Sequence, residues 1–101
     1  LNLPAFMKTK RRKTIINGQI KDYKRADITW TDIMSDNSWM PTERATRLQP
    51  CECHTLAYIL SKSDKTLITF GDWYRDEEEN RLEVGNVNII PIQNVKKIRY
   101  L

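Results

Sequence analysis

Cys51-Glu52-Cys53-His54 gathers both thiols and the only imidazole of the chain, with a carboxylate, into four consecutive residues. Thiolate and imidazole are zinc ligands, and a thiol beside an imidazole is the start of a nucleophile–base pair. The spacing argues against both uses. Structural zinc sites pair cysteines two to four residues apart with a second pair elsewhere, and no further Cys or His is present to complete a tetrahedron. Adjacent residues on a strand point to opposite faces, so Cys53 and His54 do not meet. Cys51 could meet a folded-back His54, but no third group that would orient the ring is identifiable. A Cys-x-Cys pair is also a poor disulfide. The segment reads as two reduced thiols at a strand entrance with His54 at the rim, and no metal or other cofactor is expected.

The carboxylates Asp27, Asp32 and Asp36 imitate a cluster for magnesium or for general acid–base work. Asp and Asn are equally at home in turns, where their side chains bond nearby backbone, and Asp32 to Ser38 is rich in Asp, Asn and Ser. The turn reading is preferred. Ser35-Asp36-Asn37 matches a penicillin-recognising triplet, but Ser-x-x-Lys and Lys-Thr-Gly are missing. With three glycines in all there is no loop to cradle phosphates, and the chain is not expected to be an enzyme.

The N-terminal charges are more informative. Residues 1 to 25 carry Lys8, Lys10, Arg11, Arg12, Lys13, Lys21, Lys24 and Arg25 against Asp22 alone, a net +7; residues 26 to 101 carry nine bases against twelve acids, a net −3. An arm of this kind can neutralise phosphates and release counterions without reading bases, and Tyr23 lies close enough in sequence to stack on one. Those nine residues are the candidate nucleic-acid site. The competing reading is a solvated terminus, or an arm that docks on an acidic loop. Trp39-Met40 and Trp73-Tyr74 are candidate anchors for a protein partner, since aromatics and Met are favoured at interfaces. Trp30 and one other Trp are expected inside.

These residues need a frame, and the last fifteen residues supply the clearest part of it. Val87 to Leu101 reads as strand, one tight turn at Gln93-Asn94, and strand, which points to a very small, strongly bent antiparallel β-barrel. Upstream, Asn17-Gly18 between β-prone runs predicts a basic hairpin with Ile15 and Ile20 paired. Ala26 to Thr31 predicts a strand. Pro41 to Leu48, stopped by Pro50, predicts a helix of about two turns. From Cys53 the period is two, and Cys53 to Leu60, Thr66 to Tyr74, Val84 to Ile92 and Lys96 to Tyr100 read as a four-strand meander, bent near Gly71 and Gly85. No stretch has the roughly twenty apolar residues of a membrane helix, and Leu1 to Met7, with Pro4, is too short for a secretory core, so a cytoplasmic protein is expected. Met7 is a candidate initiator, which would set Leu1 to Phe6 outside the native protein.

Trp30-Thr-Asp32-Ile-Met-Ser35-Asp36-Asn-Ser38-Trp39, followed by Tyr58-Ile-Leu60 and Ile90-Pro91-Ile92 with Val95 and Ile98, resembles uncharacterised small proteins of bacteriophages and prophages over about residues 28 to 101. The basic arm and the Cys-Glu-Cys-His stretch fall outside that pattern. The resemblance implies a phage or mobile-element origin, hence the host cytoplasm, and a small barrel similar to the Sm and Src-homology types. Barrels of the Sm kind often form rings through edge strands, so a homo-oligomer is expected. The whole therefore reads as a mainly β protein with one short helix, an arm or hairpin over 1–25 and a barrel over 26–101. The expected role is that of a non-enzymatic accessory binding protein, with nucleic acid as first partner. The alternative is a modulator of a host or phage protein, or a ring-forming structural component.

Overall fold

The structure is a computed structural model that describes residues 13–14, 18–33 and 35–101, the first two by their backbone. The protein is mainly β. Its strands are Lys13–Thr14 (β1), Arg25–Asp32 (β2), Cys51–Lys62 (β3), Thr66–Asp76 (β4), Arg81–Pro91 (β5) and Val95–Tyr100 (β6). Among the described residues there is one short helix, Thr42–Ala45 (α1), and two 3-10 turns, Ile20–Asp22 and Ile92–Asn94. No described helix is long and apolar enough to cross a membrane.

Five strands form one antiparallel sheet in the order β5-β4-β3-β2-β6, and β1 adds a short pairing to β3. Tight turns set the local hairpins. Ser63 Oγ accepts the N–H groups of Lys65 and Thr66 between β3 and β4, and Asp76 Oδ1 accepts those of Glu78 and Glu79 between β4 and β5. The expected meander holds only for β3, β4 and β5. β6 leaves its sequence neighbour and pairs with β2, Ile28 opposite Ile98 and Ala26 opposite Tyr100, so the sheet ends at β5 and β6 and those ends do not hydrogen-bond to each other.

The sheet curls over its own core. Ala26 and Ile28 of β2 cluster with Leu67 of β4 and Ile90 of β5, all fully or almost fully buried. β2 and β5 are three places apart in the order, about 14 Å in a flat sheet, so these contacts require strong bending. β3 bears much of it. Residues up to Tyr58 pair with β2, residues from Tyr58 onward pair with β4, and the register slips between Ile59 and Ser61. The other kink falls where Gly71 and Asn86 interrupt the β4–β5 ladder. Asn86 has φ 53°, and its Nδ2 would lie 3.0 Å from a Cβ at position 71. The link Ile92–Asn94 is tied down by Ile92 N–H to Lys65 O (2.8 Å) and Asn94 Nδ2 to Thr31 O (2.9 Å).

Three expectations are corrected. The second strand of the basic hairpin is the 3-10 turn Ile20–Asp22, and β1 pairs with β3; Ile15 and Asn17 lie outside the described residues. α1 is one turn because residues 41–50 are all exposed, and a short helix with nothing to bury does not propagate. Of the tryptophans, Trp30 is half-buried, its Nε1 donating to Thr55 Oγ1 at 2.9 Å, while Trp39 and Trp73 are exposed and no second Trp enters the core.

Candidate nucleic-acid interface

Lys8, Lys10, Arg11 and Arg12 lie outside the described residues. Lys13 is placed by its backbone, directly opposite Lys62 in the β1–β3 pairing. Lys21, Lys24 and Arg25 are exposed. Tyr23 is not the stacking residue its position suggests. Its ring is 9% exposed and meets Phe70 edge-on at 5.4 Å, while Tyr58 stacks on the same Phe70 at 5.2 Å. Burial of a large ring against Phe70 outweighs what an exposed contact could offer.

The fold brings to that corner residues that charge counting along the sequence did not select. One cleft of about 200 Å³ is lined by Asp22, Lys24, Lys62 and Tyr100 among others. A second, of about 380 Å³, runs along β6 and is lined by Lys62, Lys96, Lys97 and Tyr100 with apolar Ile92 and Val95. Lys62 and Tyr100 border both. Lys24 Nζ stands 5.2 Å from the Tyr100 ring centroid, a cation–π contact. The acids nearby are engaged. Asp22 Oδ2 accepts the Gln19 N–H at 2.7 Å, and Glu52 holds Lys96 at 3.0 Å. That hydrogen bond, and then the charge of Lys96, hold the Glu52 carboxyl below its ordinary value. Asp27 holds Arg99 at 3.0 Å on the outer face of the same strands.

Of the candidate protein anchors, Trp39 is fully exposed, Met40 is half-buried, and Trp73 and Tyr74 are exposed on β4 beyond the kink. The two pairs lie in different parts of the fold, a loop before α1 and the distal β4–β5 hairpin. A feature the sequence did not flag is the open edge of β5, where Val87 and Ile89 are 47% and 67% exposed.

The reactive types are dispersed. A cleft of about 550 Å³ takes in Asp32, Ser35 and Asp36 with Leu48 and Asn94. Asp32 Oδ1 accepts the Ile33 N–H at 2.8 Å, and Asp36 Oδ1 accepts the Ser38 N–H and Oγ, which lowers the Asp36 carboxyl. Both act as turn caps, and Asp27 is elsewhere on the sheet. Cys51 is exposed and Cys53 half-buried; burial, then the neighbouring Cys51, pushes the Cys53 thiol up, the opposite of an activated nucleophile. His54 is exposed, 3.3 Å from Thr29 Oγ1 and 3.9 Å from Glu52. Among the described residues no three His, Cys, Asp or Glu side chains gather to hold a metal ion.

No family model, curated protein or solved structure matches the chain.

Proposed function

We propose that the chain is a non-enzymatic binding protein that contacts nucleic acid through its basic arm, Lys8 to Lys13, continued by Lys21, Lys24 and Arg25. The observation that carries this reading is the register of β1: Lys13 stands directly opposite Lys62. Like charges placed opposite each other across an antiparallel pair oppose folding, and a bound polyanion removes that cost. On this reading the curled sheet is a small, strongly bent barrel of Sm-like or Src-homology type whose β5–β6 end is held by packing and by the Ile92–Asn94 turn. The chain is then an accessory protein of phage or prophage origin working in the host cytoplasm. The test is gel shifts with single- and double-stranded DNA and RNA over a salt series, comparing the chain with a variant in which Lys10, Arg11, Arg12 and Lys13 are Gln. Affinity should fall steeply with salt, and the variant should lose up to about 3–4 from the duplex log–log slope. Unchanged shifts reject the reading.

A second reading is favoured by the β5 edge. Gly85 to Ile90 is an uncharged run whose outer edge has no strand partner among the described residues, with Val87 and Ile89 exposed, the description of a strand that another strand will join. A second copy of the chain is the partner proposed there, which makes the protein a self-assembling component. Light scattering over a concentration series decides it: a monomer at every concentration sets this reading aside.

A further inference from the structure

We propose that the groove along β6 is a binding site for single-stranded nucleic acid, with Tyr100 as the base-stacking platform and Lys24, Lys62 and Lys97 as the phosphate contacts. This deepens the nucleic-acid reading and rests on it, but it moves the site from the arm to the sheet.

Tyr100 is 50% exposed at the end of an edge strand and lines both clefts, which makes it the aromatic shared by the whole groove. Lys24 Nζ stands over one face of the ring, 5.2 Å from its centroid, so a base stacks on the opposite face and the ammonium backs the platform. Lys62 borders both clefts, and Lys97 lies three residues from Tyr100, about 10 Å along the strand. Lys24 and Lys62 therefore lie on the Tyr100 side of the groove, and Lys97, on the strand face that carries Arg99, borders the β6 cleft from its edge. Asp22, the carboxylate lining this path, already accepts the Gln19 N–H. Lys96 is held by Glu52 and contributes less charge than its neighbours. The floor is apolar, from Ile92, Val95 and Ile98.

That combination suits a single strand better than a duplex. A base in a duplex has both faces covered by its neighbours, whereas an unpaired base offers a π-face to an aromatic side chain while its phosphates follow a cationic track. Among the described residues of the arm the one aromatic, Tyr23, is buried, so the cations there supply charge that does not distinguish the two forms.

Fluorescence anisotropy with a labelled oligothymidine and with a duplex of equal length tests the site on the full chain. Tyr100→Ala should weaken oligothymidine binding about 5- to 150-fold and leave duplex binding unchanged, and Tyr100→Phe should bind as the parent does. A folded Tyr100→Ala that binds oligothymidine like the parent overturns the proposal. Should Tyr100→Ala unfold, the double variant Lys62→Gln, Lys97→Gln carries the test: it should lower the oligothymidine salt slope by about 1.4, and an unchanged slope overturns the proposal. Failure here is separable from failure of the arm. Loss of binding on neutralising the arm, with none on altering Tyr100, leaves the arm reading standing and ends this one; a parent chain that binds neither oligomer ends both.

Discussion

Among the described residues the sheet has two open edges, which present the same backbone groups and opposite chemistry. β6 carries Lys96, Lys97 and Arg99 and slips its register against β2, both features that discourage another strand from pairing with it. β5 is uncharged from Gly85 to Ile90, with Val87 and Ile89 in solvent. Exposed backbone is common to the two, so the side chains set them apart: the cations of β6 suit the polyanion proposed there, and the uncharged run of β5 suits the further strand proposed for it.

The most damaging change strikes the support shared by both edges. Ile28 is fully buried on β2 and belongs to the same cluster as Leu67 of β4 and Ile90 of β5. Ile28→Ala should cost about 2–5 kcal/mol, measured by urea unfolding, and should abolish both activities together. A variant that keeps one edge functional would show that the halves fold separately. Next comes the kink on the β5 side. Asn86 sits at φ 53°, tolerable for Asn and poor for a β-branched residue, so Asn86→Val should destabilise by about 1–2 kcal/mol while Asn86→Gly does not. Equal stabilities for the two would mean that the kink is not held at this position.

How much of this was legible beforehand differs between the edges for a physical reason. Alternation marked the strands well: Ala26 to Thr31 became Arg25–Asp32, and the turns at Ser63-Asp64 and Asp76 to Asn80 lie where the turn residues lie. Periodicity says that a segment is extended and is silent on its neighbour, which is why order along the chain suggests β5 as the partner of β6 although β6 pairs with β2. The same silence hid the groove. Lys24, Lys62 and Tyr100 are scattered in sequence and become one surface only through that pairing, whereas the arm cations are contiguous and easily seen. The exposure of Tyr23 is likewise invisible to charge and spacing, because it is set by Phe70 of β4, far along the chain.

Smaller changes sharpen the contrast. Ile89→Lys places a charge on the free β5 edge at an exposed position, so stability should stay within about 0.5 kcal/mol while self-association seen in sedimentation weakens at least tenfold, about 1.4 kcal/mol. Association that survives the lysine argues for contacts through β6 instead. Thr69, on β4 opposite Asn88, is fully buried, and its Oγ1 has no hydrogen-bond partner among the described residues. Thr69→Val keeps the shape and removes the stranded hydroxyl, so thermal unfolding should show a gain of about 1 kcal/mol with neither edge altered. A loss would mean that the hydroxyl is engaged after all.

The least effect belongs to the ion pair that steadies the β6 side. Lys96 donates to Glu52, and this, more than its charge alone, holds the Glu52 carboxyl below its ordinary value. A group with a lowered folded value favours the folded state above its unfolded value and gives that contribution up as pH falls through the folded one. Both side chains are more than half exposed, so the contribution is small and screened by salt. Carboxyl titration followed by NMR should move the Glu52 midpoint up toward that of an ordinary glutamate in Lys96→Gln, and should move it little in Lys97→Gln. A midpoint indifferent to Lys96 would free that lysine from its carboxylate and add it to the phosphate contacts of the groove, making the β6 edge more cationic than the register alone implies.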